Sequence, residues 1–334
     1  MLSGEELTLP FAELRALIQT YSPQSTIERH GERILTSSLS PRDQIEKVTR
    51  RAAFARFGGV LLSESDNFLS LADAIDIDLS ESEEKFAVDS LTMNMEECGD
   101  LGEKIKSKTR GKVSLESPDL LFQVEKTRDG FMLGLSRGYK TFDWKTRRPR
   151  ARRFFLPSAI YPKLSRVLVN LSRIKEEEIF LEPFCGTGSL LIEASLMGLR
   201  TVGIDLTRWI ARGAKLNMQY FSLDFESIVR ADSSFANLPL REVDGVATDV
   251  PYGRASSTKG KTTEEIMNGF LFSISQGLHS NSSRKKICVV MHPSKVDIGQ
   301  IIEKQGNSFQ LQEQHLLYVH RNLTRAISVL RKEN

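Results

Sequence analysis

The chain has 334 residues, 40% hydrophobic and 27% charged, and its 46 basic side chains against 43 acidic ones leave a formal net charge of +3. That is an ordinary globular composition, long enough for two domains that each bury a core. No apolar run approaches the roughly 20 residues a membrane-spanning helix needs, Glu5 and Glu6 interrupt the start, and Cys98, Cys185 and Cys288 stand far apart without a histidine cluster, so a cytoplasmic protein with no membrane segment and no metal site is expected.

In chain order, Phe11, Leu14, Leu17 and Ile18 recur at helical spacing, as do Ile45, Val48, Ala52, Ala53 and Phe57. Strand-like runs follow near Val60, Phe86 and Leu121, which predicts a mixed α+β region. Acidic residues gather early, around Glu81, Glu83 and Glu84, and basic ones later. Lys104, Lys106, Lys108, Arg110 and Lys112 make one cluster; Lys145, Arg147, Arg148, Arg150, Arg152 and Arg153 make a second around Pro149. Such density is either a solvated segment or a phosphate-binding surface. The proline and the charge disfavour a regular element, so residues 146–153 are expected to be an exposed basic linker between an N-terminal region, 1–145, and a second domain, 154–334.

Beyond the linker, short apolar runs alternate with amphipathic stretches. A helix carrying Ile160, Leu164, Val167, Leu168 and Leu171 precedes a strand at Ile179–Leu181; a helix at Ser189–Met197, a strand at Thr201–Ile204 and a helix at Trp209–Tyr220 follow. Strands near Ile228 and Val246, a helix at Thr263–Leu278, a strand at Ile287–Met291 and a helix at Ile298–Lys304 continue the series. That order predicts an α/β fold with a parallel sheet covered on both faces. The last two runs, His315–Val319 and Ala326–Leu330, are joined by six residues, too few for a parallel crossover, so the sheet should end in an antiparallel hairpin.

Two turns at the carboxyl ends of these strands carry the chemistry. Glu182-Pro183-Phe184-Cys185-Gly186-Thr187-Gly188-Ser189 sets a Gly-x-Gly turn between strand and helix, where the backbone can approach a ligand closely. Asp205, nineteen residues after Gly186, ends the next strand, where a carboxylate can accept from ribose hydroxyls, and Asp232 after the third strand can accept from an adenine amino group. Leu191 stands where a dinucleotide fold has its third glycine, and no Gly-Lys-Ser/Thr follows, so the phosphate-gripping devices are missing. A nucleoside ligand without phosphate, S-adenosylmethionine, needs neither.

After the fourth strand comes Asp249-Val250-Pro251-Tyr252-Gly253-Arg254. An exocyclic base amine is a poor nucleophile because its lone pair is delocalised into the ring. Asp249 and a backbone carbonyl of the turn, accepting its two protons, orient that lone pair toward a methyl donor, while Tyr252 stacks on the base. A base held this way must leave its stack.

With Phe155-Leu156-Pro157 and Lys163-Leu164-Ser165-Arg166 ahead and His320-Arg321-Asn322-Leu323-Thr324-Arg325 behind, these two turns resemble the archaeal-type tRNA (guanine(10)-N2)-methyltransferases. The resemblance implies a Rossmann-like class I methyltransferase domain, mostly parallel with an antiparallel C-terminal hairpin, preceded by an α+β region that contains a THUMP domain. Lys112-Val113-Ser114-Leu115-Glu116-Ser117-Pro118-Asp119 resembles the end of a THUMP domain. By the same resemblance Asp249, Pro251 and Tyr252 carry the amine chemistry and Glu182, Phe184, Gly186, Gly188, Asp205 and Asp232 hold S-adenosylmethionine. The partner is tRNA, gripped through Lys104, Lys106, Lys108, Arg110, Arg147, Arg148 and Arg254, and the need for a small activating protein subunit as a second partner stays open. Two positions depart from the family pattern: Val250 replaces the first proline of Asp-Pro-Pro-Tyr, and Glu182 replaces the usual aspartate. Those departures keep open a tRNA-binding subunit with a weakened methyltransferase domain. A guanine-N2 methyltransferase of the THUMP type acting at another tRNA position, or a DNA adenine methyltransferase, would use the same chemistry.

Overall fold

The computed structural model describes residues 8–39, 42–137, 142–234, 243–252, 260–278, 286–306, 308–321 and 323–333. The chain divides into two compact units, Met1–Arg50 with Phe54–Phe142, and Arg51–Ala53 with Asp143–Asn334.

The first unit opens with α1 (Leu9–Tyr21), the hairpin β1 (Ile27–His30) and β2 (Ile34–Ser37), and α2 (Arg42–Arg51). It continues with β3 (Val60–Ser65), a 3-10 turn at Leu69–Ala74, β4 (Lys85–Asp89), α3 (Met95–Thr109), β5 (Lys112–Val113), β6 (Leu120–Lys126) and β7 (Phe131–Arg137). The last five strands form one sheet ordered β3-β7-β6-β4-β5, in which β6, β4 and β5 run parallel. One face buries Phe86, Phe122, Val124 and Leu133 against Leu101 and Ile105 of α3. The α2 helix stops at Arg51, earlier than the apolar spacing through Phe57 predicts. The expectation had no helix at α3, where only Leu101 and Ile105 are buried apolar positions. Its N-terminus is fixed by a capping box in which Asn94 accepts from the Glu97 amide and Glu97 accepts from the Asn94 amide, a pairing that satisfies two otherwise orphaned donors.

The second unit contains α4 (Pro162–Leu171), β8 (Ile179–Glu182), α5 (Ser189–Ser195), β9 (Arg200–Asp205), α6 (Arg208–Tyr220), β10 (Ser227–Arg230) and β11 (Gly245–Asp249). It ends with α7 (Thr263–Gly277), β12 (Ile287–Pro293), α8 (Ile298–Lys304), β13 (Phe309–His320) and β14 (Leu323–Lys332). Seven strands make one sheet ordered β10-β9-β8-β11-β12-β14-β13. The pairs from β10 to β12 are parallel; β14 runs antiparallel to both β12 and β13. This is the mostly parallel sheet with a closing hairpin that the alternation predicts, and a Rossmann-like class I methyltransferase fold. Its strand order reverses beside β8, which puts the β8–α5 turn at the crevice where open α/β sheets bind ligands. Because β14 is antiparallel, its first residues lie at the edge where the parallel strands end. Arg325 is thereby brought level with Pro293 at the end of β12.

Candidate active site

The turn after β8 passes through Gly186 at φ 51° and Gly188 at φ 80°, backbone that side chains other than glycine rarely adopt. A Cβ on Gly186 would meet open space, so its φ angle and not crowding requires the glycine. The turn is tied to the neighbouring strand ends: the Cys185 amide donates to the Ile204 carbonyl at 2.8 Å, and Ser233 Oγ donates to the Pro183 carbonyl at 2.6 Å. The Gly186 amide donates to Asp205 Oδ2 at 3.1 Å and the Thr207 amide to Oδ1 at 2.8 Å. Burial raises the Asp205 carboxyl above its ordinary value, and those two amides oppose the rise.

From behind, the turn is held by part of the segment expected as an exposed linker. Lys145, Arg148, Arg150 and Arg153 are exposed, but Arg152 is buried. Its Nη1 donates to Ser189 Oγ at 2.6 Å and reaches Thr187 Oγ1 at 3.4 Å, and its Nε donates to the Arg147 carbonyl at 3.0 Å. Burial lowers the Arg152 guanidinium to about 10 against the support of Glu193 and Glu182. Fully buried Glu193 on α5 accepts from Arg147 Nε at 2.7 Å and Arg166 Nε at 2.9 Å, with the Trp144 ring 5.3 Å and 5.5 Å from the two guanidinium carbons. Burying a carboxylate is costly without such partners. Arg147, expected to face RNA, is thus engaged inside the fold with its side chain 13% exposed.

At the end of β11 the Val250 amide donates to the Met291 carbonyl at 3.0 Å, and the Val250 side chain is fully buried in the core. A proline could make no such bond, so the departure from Asp-Pro-Pro-Tyr extends the β11–β12 ladder by one rung. Asp249 Oδ1 is shut off from solvent with no hydrogen-bond partner among the described residues, and Oδ2 lies 3.8 Å from Arg325 Nη2. Burial pushes the Asp249 carboxyl up to about 7, the arginine holding it from rising further. Arg325 Nε donates to the Tyr252 phenol oxygen; burial and Asp249 push that phenol up to about 12. Glu182 is buried, with Oε2 accepting from the Leu191 amide at 3.3 Å, and burial raises its carboxyl well above the usual range.

One cavity of about 280 Å³ gathers these groups. Glu182, Phe184, Gly186, Asp205 and Asp232 line it together with Asp249, Pro251 and Tyr252, whereas Gly188 of the same turn does not. Its Asp232 carboxylate already accepts from the Ser234 amide and hydroxyl at 3.1 and 2.6 Å, with Lys261 Nζ 3.8 Å away. Four carboxylates thus face one cavity whose wall carries two basic side chains, Lys261 and Arg325. That balance, with the unpaired Asp249 oxygen, suits a cationic ligand without phosphate and a hydrogen-bond donor beside it. The sequence does not mark Lys261, Arg152 or Arg325 as parts of this site. Gly253 and Arg254 lie outside the described residues.

The first basic cluster lies on α3 and its carboxyl end. Lys104 Nζ is 3.0 Å from Asp73 and Lys106 Nζ 3.4 Å from Glu103, while Lys108 donates to the Asp73 carbonyl and Arg110 pairs with Asp78. All four are exposed at the surface except for the partly covered Lys104. Among the described residues no group of histidine, cysteine and carboxylate side chains could hold a metal ion, and no helix is long and apolar enough to cross a membrane.

Residues 149–327 match the family model described as UPF0020, RMKL-like, methyltransferase domain. The tRNA (guanine(10)-N2)-dimethyltransferase of Methanothermobacter thermautotrophicus is 32% identical over 347 residues, covering 99% of this chain and 98% of that protein. The protein of the same name from Methanocaldococcus jannaschii is 27% identical and covers 99% of each chain. Among solved structures, TrmN from Thermus thermophilus superposes with a TM-score of 0.53 at 17% identity, covering 99% of this chain and 98% of that one, which shows a shared fold.

Proposed function

The chain belongs to the UPF0020 family of RMKL-like methyltransferase domains, and on that premise we propose that it transfers methyl groups from S-adenosylmethionine to the N2 amine of guanosine 10 in tRNA. The observation that carries this reading is the solvent-shielded Asp249 Oδ1, an acceptor without a partner among the described residues, in the cavity that Glu182, Asp205 and Tyr252 also line. The near-full-length relatives bearing the guanine(10)-N2 name supply the nucleotide.

S-Adenosylmethionine, when bound, supplies a methyl group on a positively charged sulfur, open to displacement by the amine. Glu182 and the Phe184–Gly188 turn would hold its methionine end, Asp205 the ribose hydroxyls and Asp232 the adenine edge. An ammonium beside Glu182 would restore the charge that burial disfavours, so the longer side chain still fits the role. Asp249 Oδ1 and the Val250 carbonyl accept the two N2 protons and turn the lone pair toward the donor. As the N–C bond forms and the S–C bond breaks, with its electron pair left on sulfur, the amine becomes acidic and Asp249 takes its proton. A carboxyl near 7 is matched to that exchange at neutral pH. Arg325 holds the Tyr252 ring by its phenol oxygen, which fixes the platform for the flipped base. The first unit would serve as the THUMP-containing region, with Lys104, Lys106, Lys108 and Arg110 offered to the tRNA backbone; Arg148 and Arg254 of the second unit would contact that backbone as well.

The test is methyl transfer from labelled S-adenosylmethionine to two unmodified tRNA transcripts, one with guanosine and one with adenosine at position 10. N2-methylated guanosine in the first and none in the second is expected; equal labelling of both would move the target to another guanosine. That outcome has a precedent in the tRNA (guanine(6)-N2)-methyltransferase of Methanocaldococcus jannaschii, 23% identical over 61% of this chain.

A further inference from the structure

The cations and aromatics on the outer face of α6 are used by no step above. Its thirteen residues, Arg208–Tyr220, contain no carboxylate. At about 100° per residue, Arg208, Arg212, Lys215 and Gln219 share an arc with Trp209, Leu216 and Tyr220. All seven are exposed, Trp209, Leu216 and Tyr220 at 57%, 49% and 55%. Arg208, Arg212 and Lys215 make no ion pair among the described residues. Arg208 also occupies the first turn, where the helix dipole favours an acid, so the charge is not there for the helix.

The apolar edge of this stripe is where the basic segment joins it. Asn217, fully buried, accepts from the Phe154 amide at 2.9 Å and donates to the Phe154 carbonyl at 2.7 Å. The Phe154 ring meets Trp209 edge-on with centroids 5.7 Å apart and fills the space over Gly213, where a Cβ would come within 2.0 Å of it. Exposed Arg153 and Phe155 therefore flank a residue locked to α6, with exposed Arg148 and Arg150 just before them. Apolar and aromatic side chains thus lie next to cations from both segments, and the stripe starts beside Thr207 and Ile210, which line the cavity.

We propose that this face of α6, with the adjoining 148–155 segment, is a tRNA-binding surface that holds the backbone and an unstacked base next to the methylated nucleotide. The inference rests on tRNA being the substrate. Arginine and lysine pair with phosphates without reading sequence, and a half-exposed tryptophan offers a face to a base. Arg212 and Lys215 lie outside the cofactor cavity, so the surface can be altered separately from it.

The experiment uses the full-length chain and an unmodified tRNA transcript, with dissociation constants measured from about 50 to 300 mM salt. The double variant Arg212→Glu, Lys215→Glu should bind tRNA at least about tenfold more weakly, with a log–log salt slope shallower by roughly 2. Its affinity for S-adenosylmethionine, measured without RNA, should equal that of the wild type. Trp209→Ala should weaken tRNA binding several-fold with little change in slope, and Arg212→Lys, Lys215→Arg should bind as the wild type does. Wild-type affinity and slope in the charge-reversed variant would overturn the surface while leaving the substrate intact; a matching loss of S-adenosylmethionine affinity would assign the effect to the fold and overturn it as well. A wild-type chain that neither binds nor methylates tRNA would overturn the substrate reading and this surface with it.

Discussion

Arg325 donates its Nε proton to the phenol oxygen of Tyr252, a residue 73 positions earlier in the chain. The same guanidinium lies 3.8 Å from Asp249 Oδ2, so one side chain on the antiparallel strand positions the aromatic ring and limits the rise of the carboxyl. In the proposed mechanism ionised Asp249 is the form that accepts the amine protons, so kcat/KM should fall on the acid side with a midpoint near 7. Removing the cation raises that carboxyl further. Arg325→Gln should therefore move the acid limb to higher pH and lower kcat/KM at pH 7 by on the order of tenfold, with part of the loss recovered at pH 9. An unshifted limb in the pH–rate profile would mean that Asp249 is not the titrating group.

The same carboxyl links stability to pH. Its folded value, about 7, lies above the 3.8 it has when exposed. Its contribution is therefore fully present below about pH 4 and is lost as the pH rises toward 7 and beyond. Asp249→Asn carries no charge to bury. Denaturant unfolding of the ligand-free protein should show the variant gaining on the wild type by on the order of a few kcal/mol between pH 4 and pH 8, while it loses methyl transfer.

Glu193 holds Arg147 and Arg166 from α5, and leaving the buried Arg166 and the largely covered Arg147 without it is costly. Glu193→Ala should destabilise by about 3–5 kcal/mol in urea unfolding. Arg152→Lys is the milder counterpart: a lysine cannot reach Ser189, Thr187 and the Arg147 carbonyl together, so the Gly186–Gly188 turn loosens. KM for S-adenosylmethionine should rise several-fold with kcat changed less.

Val250→Pro restores the commoner Asp-Pro-Pro-Tyr sequence and should nevertheless harm this chain. It deletes the amide that bonds the Met291 carbonyl and puts a ring where a packed valine sits. A loss of about 1–3 kcal/mol in stability and a lower kcat are expected; equal or better activity would show that the valine is a deficit and not an accommodation.

Much of the second unit was legible in the sequence because each element has its own period and its own stop. The helix at Ile298–Lys304 has the predicted bounds, and the one at Thr263–Gly277 differs by a single residue. The hairpin followed from a connection too short to cross over. The first unit was less legible: α3 buries few apolar residues, and only the Asn94–Glu97 box announces its start. In the site, the expected residues next to the glycine turns line one cavity because local sequence sets those turns at the strand ends. Arg152 belongs to a run whose charge predicts exposure, and no spacing tells that one arginine in such a run turns inward. The roles of Arg325 and Lys261 depend on strand order and loop return, which bring together residues far apart in sequence.

We propose that Asp249 orients the guanine amine for methyl transfer. The most direct test is single-turnover transfer to unmodified tRNA by wild type and Asp249→Asn, both saturated with S-adenosylmethionine and tRNA, with the N2-methylguanosine and N2,N2-dimethylguanosine products quantified. Loss of both products by about a hundredfold or more, with tRNA and S-adenosylmethionine still bound, is the predicted result. Wild-type rates in the variant would exclude Asp249 from that role.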